Sequence, residues 1–190
     1  GLVSSCKNTV KAVSDYLYGV EIDNYISVTM DAVSRLNDCV GGVTVTVDDD
    51  MTAVDPSFVK GTTVTLLGDK ALEYVRARGA MEDSSNLARM ERQKKYLAAF
   101  VEKLADINVT DTFLLSAYDQ IAEYSVTNCD TSFISALSRK IGTYSYAGAI
   151  SPKGDAQVGE KYMEFYADEE DLINILIELF YDRTQEPTEN

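Results

Sequence analysis

The sequence LLGDKALEYVRARGAMEDSSNLARMERQ, residues 66–93, is the most informative stretch of this chain. It holds four of the seven arginines, at positions 76, 78, 89 and 92, although the whole chain has 17 Lys and Arg against 31 Asp and Glu. Neighbouring guanidinium groups repel one another unless carboxylates or an anionic ligand lie between them, and their planar forks suit phosphate and carboxylate oxygens. The stretch therefore predicts an anion-binding site on an otherwise acidic protein.

Two short spacings within the stretch bring side chains together. Arg89 and Gln93 lie four residues apart in a predicted helix, so they project from nearly the same side. Arg76 and Arg78 lie two residues apart and point the same way where the backbone is extended. The start of the long helix adds free N–H groups that favour an anion. The side chains expected around this anion are Arg76, Arg78, Arg89 and Gln93, with Asn86 and Arg92 in support.

A second interpretation leaves the stretch without a ligand. Residues of one charge that cluster in sequence often form only a solvated face. Exposed ion pairs would then neutralise the arginines, and such pairs stabilise a protein very little. The nearby carboxylates are Glu73, Glu82, Asp83 and Glu91. The spacing by itself leaves both interpretations open.

Helical and alternating apolar patterns interleave along the rest of the chain, which predicts a layered α/β domain. The helices are expected over 3–18, 31–40, 69–75, 86–107, 111–126, 130–141 and 168–181, with Asp69 as the cap of the third. The strands are expected over 25–30, 43–47, 62–67, 144–146 and 161–166. One domain over 8–182 and a disordered tail over 183–190 complete the prediction.

Two of these helices carry apolar stripes at helical spacing. The stripes are Met90, Leu97, Val101 and Leu104 on the long helix, and Leu172, Ile175, Leu176 and Leu179 on the last one. Core packing is the first interpretation of both stripes, and the lining of a lipid pocket is the second.

Composition excludes several classes of function. A formal net charge of −14 argues against a general nucleic-acid binder, because phosphate backbones favour a basic face. The chain has no histidine, which excludes nucleophilic sites built on Ser-His or Cys-His pairs. The three cysteines lack the spacing of a zinc site, and no apolar run approaches the roughly 20 residues of a membrane-spanning helix. No catalytic residue can be assigned from the sequence.

A set of spaced motifs resembles the LytR-CpsA-Psr family. The motifs are G-G-V at 41–43, L-x-G-x-x-A-L-x-Y-V-R-A-R at 66–78 and N-x-x-R-x-x-R-Q at 86–93, together with Ile22 to Tyr25 and with Asp38. The likeness runs from about Val10 to Tyr181, and the order of its two arginine elements makes it fairly specific.

The resemblance implies an α-β-α sandwich with a mixed central sheet. It also implies a bacterial cell-envelope enzyme that transfers teichoic acid or capsule-type polymers from a polyprenyl-pyrophosphate carrier to peptidoglycan, on the outer face of the cytoplasmic membrane or in the wall. By the same resemblance, Arg76, Arg78, Arg89 and Gln93 fall at positions that bind the pyrophosphate head group.

Two departures from the family pattern change what is expected. Asn86 stands where the family usually has Asp, and the upstream half, with the first strands and the aspartates that hold Mg²⁺, has no counterpart here. We therefore predict no metal ligands from this chain and no catalysis by this chain alone. If those strands are absent, an uncovered sheet edge predicts a homo-oligomer. The alternative function is a non-catalytic polyprenyl-phosphate-binding or scaffold module of the cell envelope.

Overall fold

The computed structural model describes residues 3–78, 86–107, 110–141, 143, 145–160 and 163–181. The helices in these ranges are α1 (Val3–Tyr16), α2 (Asp31–Cys39), α3 (Asp69–Arg76), α4 (Asn86–Asp106), α5 (Asp111–Ile121), α6 (Thr131–Ile141) and α7 (Glu169–Phe180). The strands are β1 (Ile26–Val28), β2 (Val43–Thr46), β3 (Thr63–Leu66), β4 (Ser125–Thr127), β5 (Gly154–Val158) and β6 (Met163–Ala167). The chain forms two compact units, Gly1–Gly148 and Ala149–Asn190.

The described strands pair as three separate antiparallel sheets of two strands each, β1 with β4, β2 with β3 and β5 with β6. Helices and strands alternate along the chain, which confirms the predicted α/β class. The arrangement differs in detail from one mixed central sheet, because each described strand has a single partner and each pairing is antiparallel. The predicted single domain over 8–182 stays a prediction, and the tail over 183–190 lies outside the described residues.

The core of the first unit lies on one face of the β2–β3 hairpin. Val43 and Val45 alternate with exposed threonines and are buried, as the strict alternation of this strand predicts. Phe58 is fully buried and meets Tyr74 of α3 edge to face, with ring centroids 5.8 Å apart. Helix α4 packs against both β2 and α3, so this core joins the two helices that carry the arginines.

A buried asparagine connects the elements around this core. The Nδ2 of Asn37 on α2 donates to the carbonyl of Leu66 at 2.8 Å. Its Oδ1 accepts from the backbone N–H of Val43 and from the hydroxyl of Tyr96, both at 3.2 Å. Asn37 is fully buried, so each of these groups would lose its partner without it. One side chain thereby joins α2, β2, β3 and α4.

The start of α3 differs from the prediction. Gly68 occupies the cap position with a positive φ of 55°, a conformation that glycine adopts easily, and no side chain caps the helix there. Asp69 is the first helical residue, and its carboxylate accepts instead from the hydroxyl of Ser34 at 3.3 Å. The Gly68 N–H donates to Asp38 Oδ1 at 2.8 Å. The predicted capping role of Asp69 is therefore wrong, although an acidic residue in the first turn still favours the helix dipole.

The buried face of α4 also differs from the apolar stripe. Met90 is 40% exposed and Leu97 is 47% exposed, so neither packs in the core. The face that meets the core carries Tyr96 and Leu104, with Phe100 and Ala99 between them. Of the predicted stripe, Leu104 does pack against the core, but Tyr96 and Phe100, which the stripe did not include, pack there as well.

The segment after α5 contains a strand that the sequence pattern missed. The predicted helix over 111–126 ends at Ile121, and a 3₁₀ turn, Ala122–Tyr124, leads into β4. β4 pairs with β1, about one hundred residues earlier in the chain, with Ser27 opposite Val126. Such a distant partner leaves no trace in the local periodicity.

The second unit consists of the β5–β6 hairpin and α7. Gly154 begins β5 at a point where a Cβ would clash with the carbonyl of Tyr166 on β6. Asp168 caps α7 by accepting from the Asp171 N–H at 2.8 Å. Of the apolar stripe on α7, Leu172 and Leu176 are buried, whereas Leu179 is 54% exposed. The strand predicted over 144–146 is wrong for its two described residues, 145 and 146, which have no strand pairing.

Candidate functional site

The end of α3 presents two arginines on the outside of the first unit. Arg76 is the last residue of the helix, and Ala77 leaves it with φ −46° and ψ 132°, an extended conformation. Val75 and Ala77 are buried, whereas Arg76 and Arg78 are exposed. Buried and exposed residues therefore alternate here, as expected for extended backbone. The two arginines lie on either side of Ala77, which packs into the core.

Asn86, the first residue of α4, joins two of the arginines. Its Oδ1 accepts from Arg89 Nη2 at 2.6 Å and from Arg78 Nη2 at 3.3 Å. One guanidinium comes from the end of the α3 segment and the other from the first turn of α4. Because both donate to one oxygen atom, the two cationic groups are close neighbours. Their contact is through a neutral amide, which adds no negative charge of its own.

Arg92, on the same helix as Arg89, is 3% exposed. Its Nη2 donates to the carbonyl of Ala77 at 2.5 Å. Its Nε and Nη1 are buried and have no hydrogen-bond partner among the described residues, and the same is true of Arg89 Nε. The neighbouring residue, Gln93, donates from Nε2 to the carbonyl of Val75 at 3.1 Å. Two consecutive side chains of α4 thus hold two alternate carbonyls at the end of α3.

Tyr74 adds a buried phenol to this part of the core. Burial and the negative charges of Asp48 and Asp49 raise the pKa of Tyr74 to about 12, while the positive charge of Arg92 acts in the opposite direction. Burial also raises the pKa of Tyr96 on α4. Both phenols are therefore neutral at physiological pH and contribute packing and hydrogen-bonding groups rather than charge.

One of the acidic neighbours of the arginines is engaged elsewhere. Glu91 accepts from Lys94 at 2.9 Å, and Asp48 pairs with Lys95. Glu82 and Asp83 lie outside the described residues. Within the described ranges no ion pair joins any of the four clustered arginines to a carboxylate. Glu91 is one of the four carboxylates that the solvated-face interpretation needs, and its ion pair is with Lys94 rather than with an arginine.

The structure brings some of the predicted site residues together and separates others. Arg78, Arg89 and Asn86 converge. Gln93 turns its amide nitrogen to the α3 backbone, and Arg92 points into the core. No hydrogen bond joins Arg76 to the converging pair within the described residues. The pyrophosphate-binding role of Arg76, Arg78, Arg89 and Gln93 stays a prediction.

Sequence reasoning missed the backbone partners of the site. The carbonyls of Val75 and Ala77 are acceptors for the long helix, and only the small side chain of Ala77 between two arginines hinted that this residue faces inward. The burial of Arg92 had no local signal, because an arginine on a helix is exposed in most proteins.

Metal-binding groups are sparse in the described part of the chain. No three of its Asp, Glu and Cys side chains lie close enough to share a metal ion. The expectation that this chain supplies no ligand to the Mg²⁺ of complete family members stays a prediction. The three cysteines are free thiols, and burial raises the pKa of Cys39. Among the described helices, none is long and apolar enough to cross a membrane.

Comparison with known proteins gives several matches. A protein of Bacillus mycoides (strain KBAB4) named polyisoprenyl-teichoic acid--peptidoglycan teichoic acid transferase TagU is 33% identical over 105 residues, which are 55% of this chain and 34% of that protein. The chain thus spans about a third of the length of the curated relatives that it matches.

Solved structures and a family model extend the likeness. The Lin1025 protein of Listeria innocua has a TM-score of 0.68 at 28% identity, with 90% of this chain and 73% of that one covered. TagU of B. subtilis has a TM-score of 0.60 at 26% identity, with 95% and 74% covered. The model of the LytR_cpsA_psr family matches residues 5–171. Since this match takes in most of the chain, the chain belongs to the LytR_cpsA_psr family.

Proposed function

We propose that the arginine cluster binds the pyrophosphate head group of a polyprenyl-linked glycopolymer. The observation that supports this proposal is the convergence of Arg78 and Arg89 on the single Oδ1 of Asn86. A neutral oxygen holds the two guanidiniums side by side, and among the described residues no carboxylate forms an ion pair with either of them. A diphosphate has several negative oxygens at a spacing that two such forks can contact together.

The start of α4 strengthens the case for a phosphate ligand. Asn86 is the first residue of this helix, and the N–H groups of a helix's first turn have no partner within the helix itself. The positive end of the helix dipole favours an anion at the same place. Arg76 and Gln93 complete the proposed set, Arg76 from the exposed end of α3 and Gln93 from the second turn of α4.

Fixed cations at this place also suit a transfer reaction. Negative charge shifts among the phosphate oxygens as the polymer leaves its carrier, and preorganised donors stabilise that charge in the transition state. In this proposal the chain belongs to a cell-envelope transferase that moves a glycopolymer, such as teichoic acid, to peptidoglycan. The name of the B. mycoides relative, a teichoic acid transferase, supports this substrate class.

The proposal is tested by measuring the binding of inorganic pyrophosphate and of farnesyl pyrophosphate by calorimetry. Arg78→Ala and Arg89→Ala should each weaken binding by about tenfold or more, because a charge-assisted hydrogen bond contributes roughly 1.5–3 kcal/mol. Arg35→Ala is the matched control. Arg35 is an exposed arginine that donates to Tyr124 Oη at 2.6 Å and is not part of the cluster.

The control variant separates a specific site from general charge. If all three variants bind pyrophosphate equally well, or the wild type does not bind it, the proposed site is wrong. Metal-dependent polymer transfer by the full gene product would support the enzyme, whereas head-group binding without turnover would support the scaffold module. The expected homo-oligomer stays a prediction, and light scattering of the purified chain would test it.

A further inference from the structure

Arg92 is an arginine buried in the core without a carboxylate partner in the described part of the chain. It is 3% exposed, and two of its three guanidinium nitrogens, Nε and Nη1, have no partner there. Removal of a cation from water is costly, and a well-packed apolar side chain of similar size often serves a core equally well or better. The buried charge therefore has a use other than filling space.

The one hydrogen bond that the Arg92 side chain forms within the described ranges is to the backbone between the two exposed arginines of the α3 segment. Nη2 donates to the carbonyl of Ala77 at 2.5 Å, and Ala77 is the residue between Arg76 and Arg78. The last carbonyls of a helix lack partners within the helix. A cation near a helix C-terminus satisfies such carbonyls and complements the negative end of the dipole. Arg92 thus caps α3 from a different helix.

Arg92 also links the two sources of positive charge. It lies three residues after Arg89 on α4, so one helix carries both a converging guanidinium and the group that holds the α3 segment. The side chain of Gln93 holds the carbonyl of Val75, two residues before Ala77. The direction in which Arg76 and Arg78 leave the backbone therefore depends on α4.

We infer that Arg92 is a positioning residue for the anion site, whose hydrogen bond to the Ala77 carbonyl sets the spacing between Arg78 and Arg89. This inference rests on the proposed function for its ligand. It assigns Arg92 no contact with the ligand, and its effect on binding passes through the backbone of residues 76–78.

The first test compares pyrophosphate affinity in three variants at a temperature where unfolding curves show each of them folded. Arg92→Met removes the donor and should weaken binding by about tenfold or more, because misplacement by about 1 Å can cost that much. Arg92→Lys keeps one donor and should restore part of the affinity. Val45→Ala, a buried position on β2 outside the site, should lose stability without losing affinity.

A purely structural role for Arg92 would give a different pattern. In that case affinity would follow stability alone. Val45→Ala and Arg92→Met, compared at the same loss of stability, would then lose the same pyrophosphate affinity, and the inference would be overturned. Unchanged affinity in Arg92→Met would overturn it as well. If Arg92→Met does not fold, the comparison of wild type, Arg92→Lys and Val45→Ala carries the same test.

A second readout needs no ligand and separates this inference from the proposed function. The Ala77 N–H donates to the Glu73 carbonyl at 2.9 Å, so its hydrogen exchange reports on the end of α3. In the Arg92→Lys variant, the Ala77 amide should exchange faster than in the wild type, whereas the exchange rates of the α6 amides should not change. Unaltered exchange at Ala77 would refute the positioning role, whereas failure of the wild type to bind pyrophosphate would refute only the proposed function.

Discussion

The β2–β3, α3 and α4 region of the first unit and the hairpin-helix of the second unit are stabilised in different ways. In the first, Phe58, Tyr74 and Leu66 are fully buried, and side chains such as Asn37 bond to backbone groups of other elements. In the second, both strands of the hairpin are almost entirely exposed, and of its residues in 149–160 and 163–181 only Leu172 and Leu176 are buried. Apolar packing is the main stabilising contribution in the first region, whereas the backbone hydrogen bonds of the hairpin and the cap of α7 are the main ones in the second.

This difference indicates which region can hold a site in fixed geometry. A densely packed core resists displacement of its side chains, so groups attached to it keep their spacing. The converging arginines are attached to such a core through α3 and α4. The exposed hairpin lacks comparable restraint from packing. Substitutions at matched residue types in the two units should therefore have unequal effects.

Among the truncations to alanine, the largest expected effect is that of Phe58→Ala. Phe58 is fully buried against Tyr74, so the change should lower the free energy of unfolding by about 3–5 kcal/mol. Phe165→Ala on β6 is the matched change, and because this ring is 57% exposed the loss should stay below about 1 kcal/mol. Urea unfolding of both variants measures the comparison. Equal losses would show that the two regions do not differ as described.

Asn37→Ala should have the next largest effect. The change leaves the Leu66 carbonyl and the Val43 N–H in the core without their partner. Each unsatisfied buried group costs about 1–3 kcal/mol, so a loss of at least about 2 kcal/mol is expected for the two groups. Asn128→Ala, which removes exposed bonds to Tyr25 and Asp23, is the control and should cost less. A smaller loss at Asn37 than at Asn128 would contradict the role of the buried network.

Tyr74→Phe tests the same core through its dependence on pH. The folded-state pKa of about 12 exceeds the ordinary value of 10, so the folded state holds this proton more tightly. Stability from Tyr74 is complete below about pH 10 and is lost as the pH rises toward about 12. The Tyr74→Phe variant should not show this loss of stability at alkaline pH. At neutral pH its free energy of unfolding should change by less than about 1 kcal/mol, because the Tyr74 hydroxyl has no hydrogen-bond partner among the described residues.

The matched tyrosine in the second unit should behave differently. Tyr166 is 55% exposed, and the pKa of this phenol is raised first by its hydrogen bond to Glu164 and only second by burial. Tyr166→Phe should shift the alkaline unfolding midpoint in the same direction as Tyr74→Phe but by less, because the exposed phenol is screened by solvent. The pH dependence of unfolding, followed by circular dichroism, checks both variants. A shift at Tyr166 as large as that at Tyr74 would argue against burial as the cause.

Val158→Lys should have the smallest effect. Val158 is 84% exposed at the end of β5, so a charged residue loses almost no apolar burial there. The free energy of unfolding should change by less than about 0.5 kcal/mol. Val45→Lys, at a buried position of β2, should by contrast prevent stable folding. Thermal unfolding and soluble yield of the two variants would compare the regions at one residue type.

Local sequence patterns predicted much of the fold. The apolar alternation of Val43 to Thr46 located β2 and its buried face, and helical periodicity located α4 to within a residue at either end. The patterns were insufficient where a distant partner decides the structure. β4 forms because β1 lies beside it, and β5, which begins with Gly and Asp, has weak strand propensity and forms by pairing with β6.

The site was predictable in part for the same reason. The arginine spacing predicted that guanidiniums from two stretches would meet, and Arg78 and Arg89 do meet on Asn86. The spacing did not predict that Arg92 would turn inward. A helix can rotate about its axis to bury any face, and the packing of Tyr96 and Leu104 against the core sets that rotation here.

The sequence by itself determined the α/β class, the helix that carries Arg89 and the family motifs around both arginine pairs, because these depend on residues close together in the chain. Only the tertiary structure decided which donors remain free for a ligand. Asn86, Arg92 and Gln93 each select partners from the α3 segment, and a hydrogen bond is formed by distance in space rather than by separation in sequence.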